Sequence, residues 1–325
     1  MRRTVAINAT DGAEGVPLLT QALRCFEETA RQGGIRRAAE HLALAPSAVN
    51  RQILNLEAEL GLPLFERLPR GLRLSSAGEM LLHRLRLWRR DERQLRESLE
   101  AMRGPGSGTV RLAVGEALSE AVLPPLLTAF RRESPRASFA VTMSDAEGVL
   151  RALADGTADL GACFNPAEPG PARVVRRFHF PMGAVVAPDH PLAAAERLSL
   201  RDCAAWPAIV PDASIADRWE LSQAVQATGV NLMTLAECNR VLPMRAMARA
   251  GLGVAFLSRL DVLADERRGE LVWRPLDEAA PSRTVLAVCV PSDRRLPALT
   301  EALLERLLAA LAEITEPGAL SRRRA

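Results

Sequence analysis

The 325-residue sequence contains no lysine and no tyrosine, so all 42 residues in its lysine and arginine count are arginine. A Schiff-base enzyme, a phosphate-binding loop that needs lysine and a tyrosine general acid are therefore excluded. Its four histidines and five cysteines are widely scattered, without a CxxC pair. We therefore expect no zinc centre, no other metal site and no disulfide framework, and we predict that the cysteines are small buried side chains.

Long hydrophobic runs are also missing. No run of about 18 uncharged apolar residues occurs, which excludes a transmembrane helix, and the first residues are too poor in apolar side chains for a secretion signal. We therefore expect a cytoplasmic protein with no membrane partner. Its 48% hydrophobic and 25% charged residues are typical of a folded chain, and the length predicts two or three domains.

The positive charge is concentrated towards the N-terminus. Residues 1–103 hold 17 arginines and 13 acidic residues, whereas residues 104–325 hold 25 arginines and 26 acidic residues. A basic first part on a nearly neutral remainder favours a polyanionic partner for the first part alone. Arginine-rich helices are also common as plain solvated faces, so the pattern of the residues has to decide.

Helical periodicity dominates residues 18–60. Apolar residues recur every three to four positions over 18–30, a second helical stretch spans 36–42, and a third helix is predicted over 46–60. Small residues in the second stretch would let the third helix approach closely, with residues 43–45 as the tight turn between them. This part of the chain therefore predicts a helix-turn-helix.

The predicted third helix has one apolar and one polar face. Ser47, Asn50, Arg51 and Asn55 fall on its polar side. Asparagine can pair with adenine, arginine with guanine or a phosphate, and serine with either, which is the chemistry of a helix in the major groove of DNA. An ordinary exposed helix face explains these four residues equally well.

A short hairpin is predicted over residues 67–74, after a helix stop at 61–63. Arginines on a projecting hairpin would enter the minor groove or bind flanking phosphates, as the wing of a winged helix does. The predicted DNA-binding residues outside the third helix are Arg36, Arg67, Arg70 and Arg73.

A long helix is predicted over residues 76–102, opened by a capping-box pattern of Ser76 and Glu79. Its apolar seam alternates spacings of four and three, which suits a short coiled coil. Packing against its own domain is the alternative, but we favour dimerisation because arginines cover most of the remaining surface. The predicted dimerisation residues are Leu81, Leu85, Trp88, Leu95, Leu99 and Met102.

The order and spacing of these segments resemble the winged helix-turn-helix of LysR-type transcriptional regulators. The matching segments are residues 37–40 with Leu42, then 47–53, 56–57, 60–61, 64–67, and 74–75 with 77–79. The family often begins its recognition helix with Ser-Gln, where this chain has Ala45 and Pro46, and often has serine where this chain has Asn50. The glutamine commonly credited with a base contact is therefore missing, and we expect Asn50 to take over part of the readout.

Strand and helix patterns alternate after a glycine-rich linker at residues 104–108. Strands are predicted at 109–114, 138–143 and 159–164, with helices between them. This alternation predicts a mainly parallel sheet that is covered by helices, in which a ligand binds beyond the carboxyl ends of the strands.

The resemblance to the LysR family continues through this region. It rests on residues 123–124 with 130–131, Leu153 with Gly156 and 159–160, 190–193, and 250–255. It implies an effector domain similar to type 2 periplasmic binding proteins, with two α/β lobes joined by two crossing strands around a small molecule. The implied first lobe is 109–165 with 284–316, and the second is 166–283.

The effector-binding residues are predicted from their positions relative to the predicted strands. They are Glu116, Ala117, Leu118, Ser144, Asp145, Asn165, Ile215 and Asn239. Helix capping explains Ser144, Asp145 and Asn239 at least as well. Glu116 differs, because an acid in the cleft would repel carboxylate effectors or attract amines.

Together these observations predict a sequence-specific, DNA-binding transcriptional regulator, not an enzyme, that is modulated by a small-molecule effector. The fold class is mixed: an α-rich winged helix-turn-helix domain (16–75), a dimerisation helix with linker (76–108) and a bilobed α/β effector domain (109–316). Expected partners are double-stranded DNA, the effector, further copies of the chain in a homodimer or homotetramer, and RNA polymerase. No cofactor is expected. A solute-binding protein and an enzyme built on the same lobes are the alternatives, and the absence of an export signal and of a recognisable catalytic set argues against them.

Overall fold

Residues 20–68, 71–101, 107–167, 170, 172–215, 217–277, 284–293 and 295–315 are described by a computed structural model. The chain divides into two units between Arg96 and Glu97. Among the described helices, none combines the length and the apolar character needed to span a bilayer.

The first unit consists of three short helices, a two-stranded hairpin and a long helix whose last residues, from Glu97, belong to the second unit. They are α1 (Gln21–Gln32), α2 (Ile35–His41), α3 (Pro46–Leu60), β1 (Phe65–Leu68), β2 (Gly71–Leu74) and α4 (Ser76–Ala101). The predicted bounds of α3 are confirmed. Helix α1 begins later than its apolar periodicity suggests, because the Thr20 hydroxyl caps it by accepting a hydrogen bond from the Leu23 amide.

Two small apolar clusters hold the first unit together. Cys25 and Ala39 pack with Val49 and Ile53, and this joins the first three helices. Phe26 of α1 packs in the second cluster with side chains of α3, the hairpin and α4. The close approach of α2 depends on its small side chains, since Ala38 and Ala39 are almost completely buried.

The hairpin is antiparallel and longer than predicted, with Phe65 opposite Leu74 and Leu68 opposite Gly71. Glu57 fixes its position, because one carboxylate oxygen accepts hydrogen bonds from the backbone amides of Leu64 at 2.7 Å and Phe65 at 3.2 Å. The hairpin is therefore anchored to the side of α3.

The predicted capping box of α4 is wrong by one residue. The helix begins at Ser76, and it is the hydroxyl of Ser75 that accepts a hydrogen bond from the Gly78 amide at 3.1 Å. The same hydroxyl donates to the Pro63 carbonyl at 2.6 Å. Glu79 three residues after Ser76 favoured Ser76 in the sequence, whereas Ser75 has Gly78 at that spacing, and the contact with the preceding loop selects Ser75.

The second unit contains ten strands and seven α-helices among its described residues. Its first half is β3 (Gly108–Val114), α5 (Leu123–Glu133), β4 (Ala137–Met143), α6 (Ala146–Ala154), β5 (Leu160–Phe164), β6 (Ala172–His179), β7 (Met182–Val186), α7 (Leu200–Ala204) and β8 (Ala208–Pro211). Its second half is α8 (Asp217–Thr228), β9 (Thr234–Cys238), α9 (Val241–Arg249), β10 (Val254–Ser258), α10 (Arg259–Arg268), β11 (Val272–Pro275), β12 (Val285–Pro291) and α11 (Ala298–Thr315).

These strands form two five-stranded sheets, one for each lobe. The first sheet has the order β4-β3-β5-β12-β6, and the second has the order β11-β7-β10-β8-β9. Each sheet is mixed: β3 is parallel to β4 and β5, and β8 is parallel to β9 and β10, but β12 and β7 run antiparallel to their neighbours. The predicted fold class, a winged helix-turn-helix followed by two α/β lobes, is confirmed.

The implied boundary of the first lobe after residue 165 is wrong. Strand β6 pairs antiparallel with β12 and so belongs to the first sheet, and the chain first crosses to the second sheet after β6. It returns between β11 and β12. Near the crossing, the Phe180 amide donates to the Thr284 carbonyl at 3.1 Å, so the two connecting segments are hydrogen-bonded to each other.

Helix α10 contacts both lobes. It lies between β10 and β11 of the second lobe, yet Leu260 and Leu263 are buried in the core of the first lobe, beside Leu286. Val262 is buried on the other side, in a cluster of the second lobe. Any movement of one lobe against the other has to repack this helix.

Candidate functional site

The polar face of α3 is available to a partner. Ser47, Arg51 and Asn55 are exposed and Asn50 is half-buried, while Val49 and the rest of the apolar stripe face the core. Within the described part of the chain, no side-chain hydrogen bond or ion pair engages these four residues. Donors and acceptors that the protein leaves free are what a major-groove contact requires.

The predicted arginines around α3 have different environments. Arg36 is exposed near the start of α2. Arg73 is exposed on β2, but its guanidinium is bound by Glu66 on the facing strand at 2.5 Å, and this hydrogen bond raises the pKa of Arg73. Arg70 and the side chain of Arg67 lie outside the described residues. DNA contact by these arginines stays a prediction.

The assignment of Leu81 and Leu85 to a dimer seam is corrected by the structure. Leu85 is 0% exposed and packs with Phe26 and Leu64 of its own unit. Leu81 is half-buried against the same cluster. The first turns of α4 therefore complete the core of the first unit, which is the alternative that the same apolar periodicity allowed.

The later turns of the α4 seam are different. Trp88, Leu95 and Leu99 are about half exposed, at spacings of seven and four residues along the helix. Next to the seam, Arg89 forms an ion pair with Glu27 of α1 at 2.6 Å, which holds the helix against its own unit. Met102 lies outside the described residues. A shortened seam of three apolar side chains thus remains exposed.

A cavity of about 1180 Å³ lies in the second unit and is lined by residues of both lobes. It forms where β3, β4 and β5 of the first sheet and β8 and β9 of the second sheet end, as expected for ligand sites in open α/β sheets. Seven of the eight predicted effector residues line it: Glu116, Ala117, Ser144, Asp145, Asn165, Ile215 and Asn239.

Leu118 does not line the cavity and its assignment is wrong. The three residues after Gly115 form a single 3-10 turn, which turns Leu118 away into the core of the first lobe, where it is completely buried. Glu116 and Ala117 stay at the cavity wall. Adjacent residues of a helical turn point in different directions, so a run of three could not all face one site.

Helix capping explains only some of the predicted effector-binding residues. The Asp145 carboxylate caps α6 by accepting a hydrogen bond from the Gly148 amide at 2.8 Å. Asn239 is not a cap, because α9 starts after Arg240 without a side-chain cap. Asn165 has a left-handed backbone with φ 43°, and its side-chain oxygen accepts a hydrogen bond from the Val285 amide at 2.9 Å. It therefore ties the end of β5 to the start of β12.

Two buried carboxylates that line the cavity were not predicted from the sequence. Asp217 is 1% exposed, and its oxygens accept hydrogen bonds from the Ser258 amide at 2.9 Å and the Thr284 hydroxyl at 3.3 Å. Asp261 is 8% exposed and accepts from the Ser258 hydroxyl at 2.6 Å. The available signal was an aspartate in the otherwise apolar run 260–264, where an acid is rarely placed without a function or a partner.

Burial raises the pKa of both carboxyl groups. The charge of Asp261 adds to this effect at Asp217, whose pKa lies well above its ordinary value. For Asp261, burial and the charge of Glu116 outweigh the hydrogen bonds from Ser258 and the influence of Arg245, so the pKa rises to about 6. The cavity thus holds two acids whose ionised forms are poorly compensated by the cations around them.

The chain matches the bacterial regulatory helix-turn-helix proteins of the lysR family over residues 20–79 and the LysR substrate binding domain over residues 103–312. It is 28% identical to the RuBisCO operon transcriptional regulator of Allochromatium vinosum over 236 residues, which cover 73% of this chain and 78% of that protein. It is 26% identical to the uncharacterized HTH-type transcriptional regulator YybE of Bacillus subtilis (strain 168) over 240 residues, 74% of this chain and 82% of YybE.

Two solved structures share the fold. Full-length CbnR complexed with its target DNA has a TM-score of 0.63 at 20% identity, covering 89% of this chain and 99% of CbnR. A point variant of full-length OxyR from Pseudomonas aeruginosa also has a TM-score of 0.63 at 20% identity, covering 90% of this chain and 93% of OxyR. Because the two family matches together span most of its length, the chain belongs to the LysR family, the DNA-binding transcriptional regulators that carry an effector-binding domain.

Proposed function

We propose that the chain binds operator DNA as a dimer, or a dimer of dimers, with the polar face of α3 in the major groove and the β1–β2 hairpin against flanking phosphates. The observation that supports this most directly is that Ser47, Arg51 and Asn55 have no side-chain partner among the described residues, on an exposed helix whose opposite face is buried. A side chain that contacts phosphate contributes affinity that weakens with salt, whereas a base contact contributes discrimination.

The proposed DNA interface is tested by gel-shift titration of the purified full-length protein on its own upstream intergenic DNA at moderate salt. Arg51→Ala should weaken binding by about 1–3 kcal/mol, as expected for a base or phosphate contact of arginine. Arg151→Ala is the matched control, because Arg151 is an exposed arginine of α6 in the other unit. Equal affinity of wild type and Arg51→Ala would remove Arg51 from the interface.

The dimer contact is assigned to the exposed seam of Trp88, Leu95 and Leu99, with Met102 as its predicted continuation. An apolar stripe on a helix that is otherwise rich in arginine gains most by pairing with its own copy. The domain divisions at 16–75 and 76–108 are retained as proposals, with the change that the first turns of α4 serve the core of the DNA-binding unit.

A small molecule in the cavity is proposed to act as the effector. The cavity is lined from both lobes, so a ligand that fills it has different contacts when the lobes shift, and this difference in affinity is what allows it to change the population of DNA-binding states. Ligands that bind the native state raise the melting temperature, so thermal-shift screening of metabolites tests this part.

We also infer that the chain is not an enzyme, that RNA polymerase is a further partner and that the protein acts in the cytoplasm. The curated relatives described above are transcriptional regulators, which supports the first inference. Turnover of any cavity ligand by the purified protein would contradict it. A two-hybrid assay against the polymerase subunits tests the second, and cell fractionation tests the third.

A further inference from the structure

The charged groups of the cavity are unbalanced. Its described lining includes four carboxylates and two guanidinium groups: Glu116, Asp145, Asp217, Asp261, Arg218 and Arg240. A site for an anionic effector would show the opposite excess, because a buried or half-buried acid repels a carboxylate ligand.

The two arginines do not offset the acids of the cavity. Arg218 forms an ion pair with Glu237 at 3.3 Å and donates to the Pro211 carbonyl at 2.9 Å. The hydrogen bonds from Ser214 lower the pKa of Asp212, and the charges of Arg218 and Arg240 add to this effect. Glu237 does not line the cavity, so the guanidinium charge of Arg218 is compensated from outside it, while Arg240 is an exposed side chain whose charge is weakened by water.

Of the two buried acids of the cavity, Asp261 has fewer hydrogen-bond partners. Its hydrogen bonds within the described part of the chain all come from one residue, Ser258. The buried cation that acts on it, Arg245, is already held by Asp265 at 2.6 Å and by Glu120 at 2.9 Å. The ionised form of a carboxyl group that is nine-tenths buried at a cavity wall without a counterion of its own is costly, and a ligand that supplies the positive charge would offset this cost.

The remaining walls suit the body of an organic cation. Phe164 and Trp219 line the cavity as aromatic side chains, and Ile215 and Leu242 add aliphatic surface. Aromatic faces attract ammonium and guanidinium groups within about 6 Å of the ring, and most strongly when water is excluded. The cavity therefore combines acidic groups with aromatic and aliphatic walls.

The N-termini of α6 and α8 at the cavity do not reverse this preference. An N-terminus attracts anions, but α6 is already capped by Asp145 and the first turn of α8 carries Asp217 and Glu220. The start of α9 lies beside Arg240 and has no side-chain cap. The positive ends of α6 and α8 are thus neutralised by acids of the chain itself.

We propose that the effector of this protein is an organic cation, a small amine or guanidine with an apolar body, whose charged group binds between Asp261 and Glu116. The inference rests on the proposed function, because it names the ligand class of the same effector cavity. The ammonium donates to the carboxylate of Asp261, and the apolar body lies against Phe164 and Trp219.

Paired probes of equal shape and opposite charge test the proposal. Binding of 2-phenylethylamine and 1,5-diaminopentane to the full-length protein is compared by saturation-transfer NMR with binding of 3-phenylpropanoate and pimelate. We expect at least one amine to bind with a Kd below ~10 mM and the carboxylates to bind more weakly. Asp261→Asn and Glu116→Gln should each weaken amine binding about tenfold or more, as charge-assisted hydrogen bonds are lost.

Asp277→Asn is the matched control, because Asp277 is an exposed carboxylate, paired with Arg197, that lies outside the cavity. It should leave amine binding unchanged. Circular dichroism verifies that each variant is folded. If Asp261→Asn is not folded, the amine binding of Glu116→Gln decides the test. Carboxylates that bind as well as the amines, the absence of amine binding, or amine binding that neither cavity variant weakens would each overturn the proposal. The gel shift without any probe reports separately on the proposed DNA-binding function.

Discussion

At the scale of single residues, Ala43 carries backbone strain in the turn between α2 and α3. Its φ of 52° lies in the left-handed region, which costs about 1 kcal/mol for a residue with a Cβ. The tight turn was predicted from the sequence, but the strain was not, because alanine gives no signal for a positive φ as glycine or asparagine would. The strained residue sits shortly before the proposed recognition helix.

Replacing Ala43 by glycine should stabilise the helix-turn-helix by up to about 0.5 kcal/mol, because the Cβ penalty disappears while part of this gain is lost to the freer unfolded chain. Hydrogen exchange of the α2 and α3 amides in the full-length protein measures this. Ala48→Gly, at an exposed position inside α3, should instead destabilise by about 1 kcal/mol. Exchange in Ala43→Gly that is as fast as in wild type, or faster, would mean that the turn is not strained.

The buried acids predict a pH dependence of stability. A carboxyl group whose pKa is raised on folding contributes stability that is present below its unfolded pKa of 3.8 and lost as the pH rises through about 6 for Asp261. Asp217 acts in the same direction. The groups that face Asp261 are Asp217, Glu116, Ser258 and Arg245; the hydrogen bonds from Ser258 and the charge of the already paired Arg245 oppose this loss, and the charge of Glu116 adds to it.

Asp261→Asn should therefore be more stable relative to wild type at pH 8 than at pH 5. The neutral amide can still accept the hydrogen bond from Ser258, and it carries no charge to be desolvated. Urea midpoints of both proteins at the two pH values measure the difference. A stability difference that does not change between pH 5 and pH 8 would show that Asp261 titrates as an ordinary surface acid does.

At the scale of elements, periodicity predicted where the helices of the first unit lie but not what covers them. The heptad spacing of α4 is the same before and after Trp88, yet Leu85 is buried in the core of the first unit and Leu95 is exposed on its surface. The same limit applies in the second unit. The local patterns of β3, β4 and β5 predicted three strands, whereas the pairing of β6 with β12 joins residues more than a hundred positions apart and leaves no local signature.

Two alanine substitutions on α4 should therefore have different effects. Leu85→Ala removes a fully buried side chain and should lower the stability of the first unit by about 2–5 kcal/mol. Leu95→Ala removes an exposed side chain and should leave that stability within about 0.5 kcal/mol but weaken dimerisation. Urea unfolding and sedimentation analysis separate the two. A Leu95→Ala protein with unchanged dimerisation would remove Leu95 from the proposed seam.

At the scale of the whole effector domain, an ion-pair network joins the lobes outside the cavity. Arg245 of α9 is almost completely buried and binds Asp265 of α10 at 2.6 Å. Its other nitrogens bind both carboxylate oxygens of Glu120, in the first lobe, at 3.1 and 2.9 Å. This hydrogen bond from Arg245 makes the largest contribution to lowering the pKa of Glu120. No sequence pattern connects residues 120, 245 and 265, so the network could be found only from the folded chain.

The two acids of this network, Asp265 and Glu120, contribute unequally to the free energy of unfolding, and the difference can be measured. Asp265→Asn leaves the buried guanidinium of Arg245 with less compensation and should cost about 3–5 kcal/mol, as other broken buried pairs do. Glu120→Gln should cost about 1 kcal/mol or less, because Glu120 is 41% exposed and water replaces part of the interaction. Urea unfolding of the two variants measures both costs. Glu133→Gln, in the exposed pair of Glu133 with Arg306 within the first lobe, is the control and should change little.

Glu120 nevertheless has the larger role in the motion between lobes, because its pairing with Arg245 is made across them whereas Asp265 and Arg245 belong to the same lobe. Glu120→Gln should therefore increase hydrogen exchange at the crossing segments near Phe180 and Thr284, while Glu133→Gln leaves it unchanged. If Glu120→Gln and Glu133→Gln gave the same exchange pattern, the lobes would be held without the ion pair of Glu120 and Arg245, by the packing of α10 and the hydrogen bond from Arg267 to the Ala121 carbonyl at 3.3 Å. The relative position of the lobes, and with it the shape of the effector cavity, would then depend on Leu260 and Leu263 and not on the ion pairs.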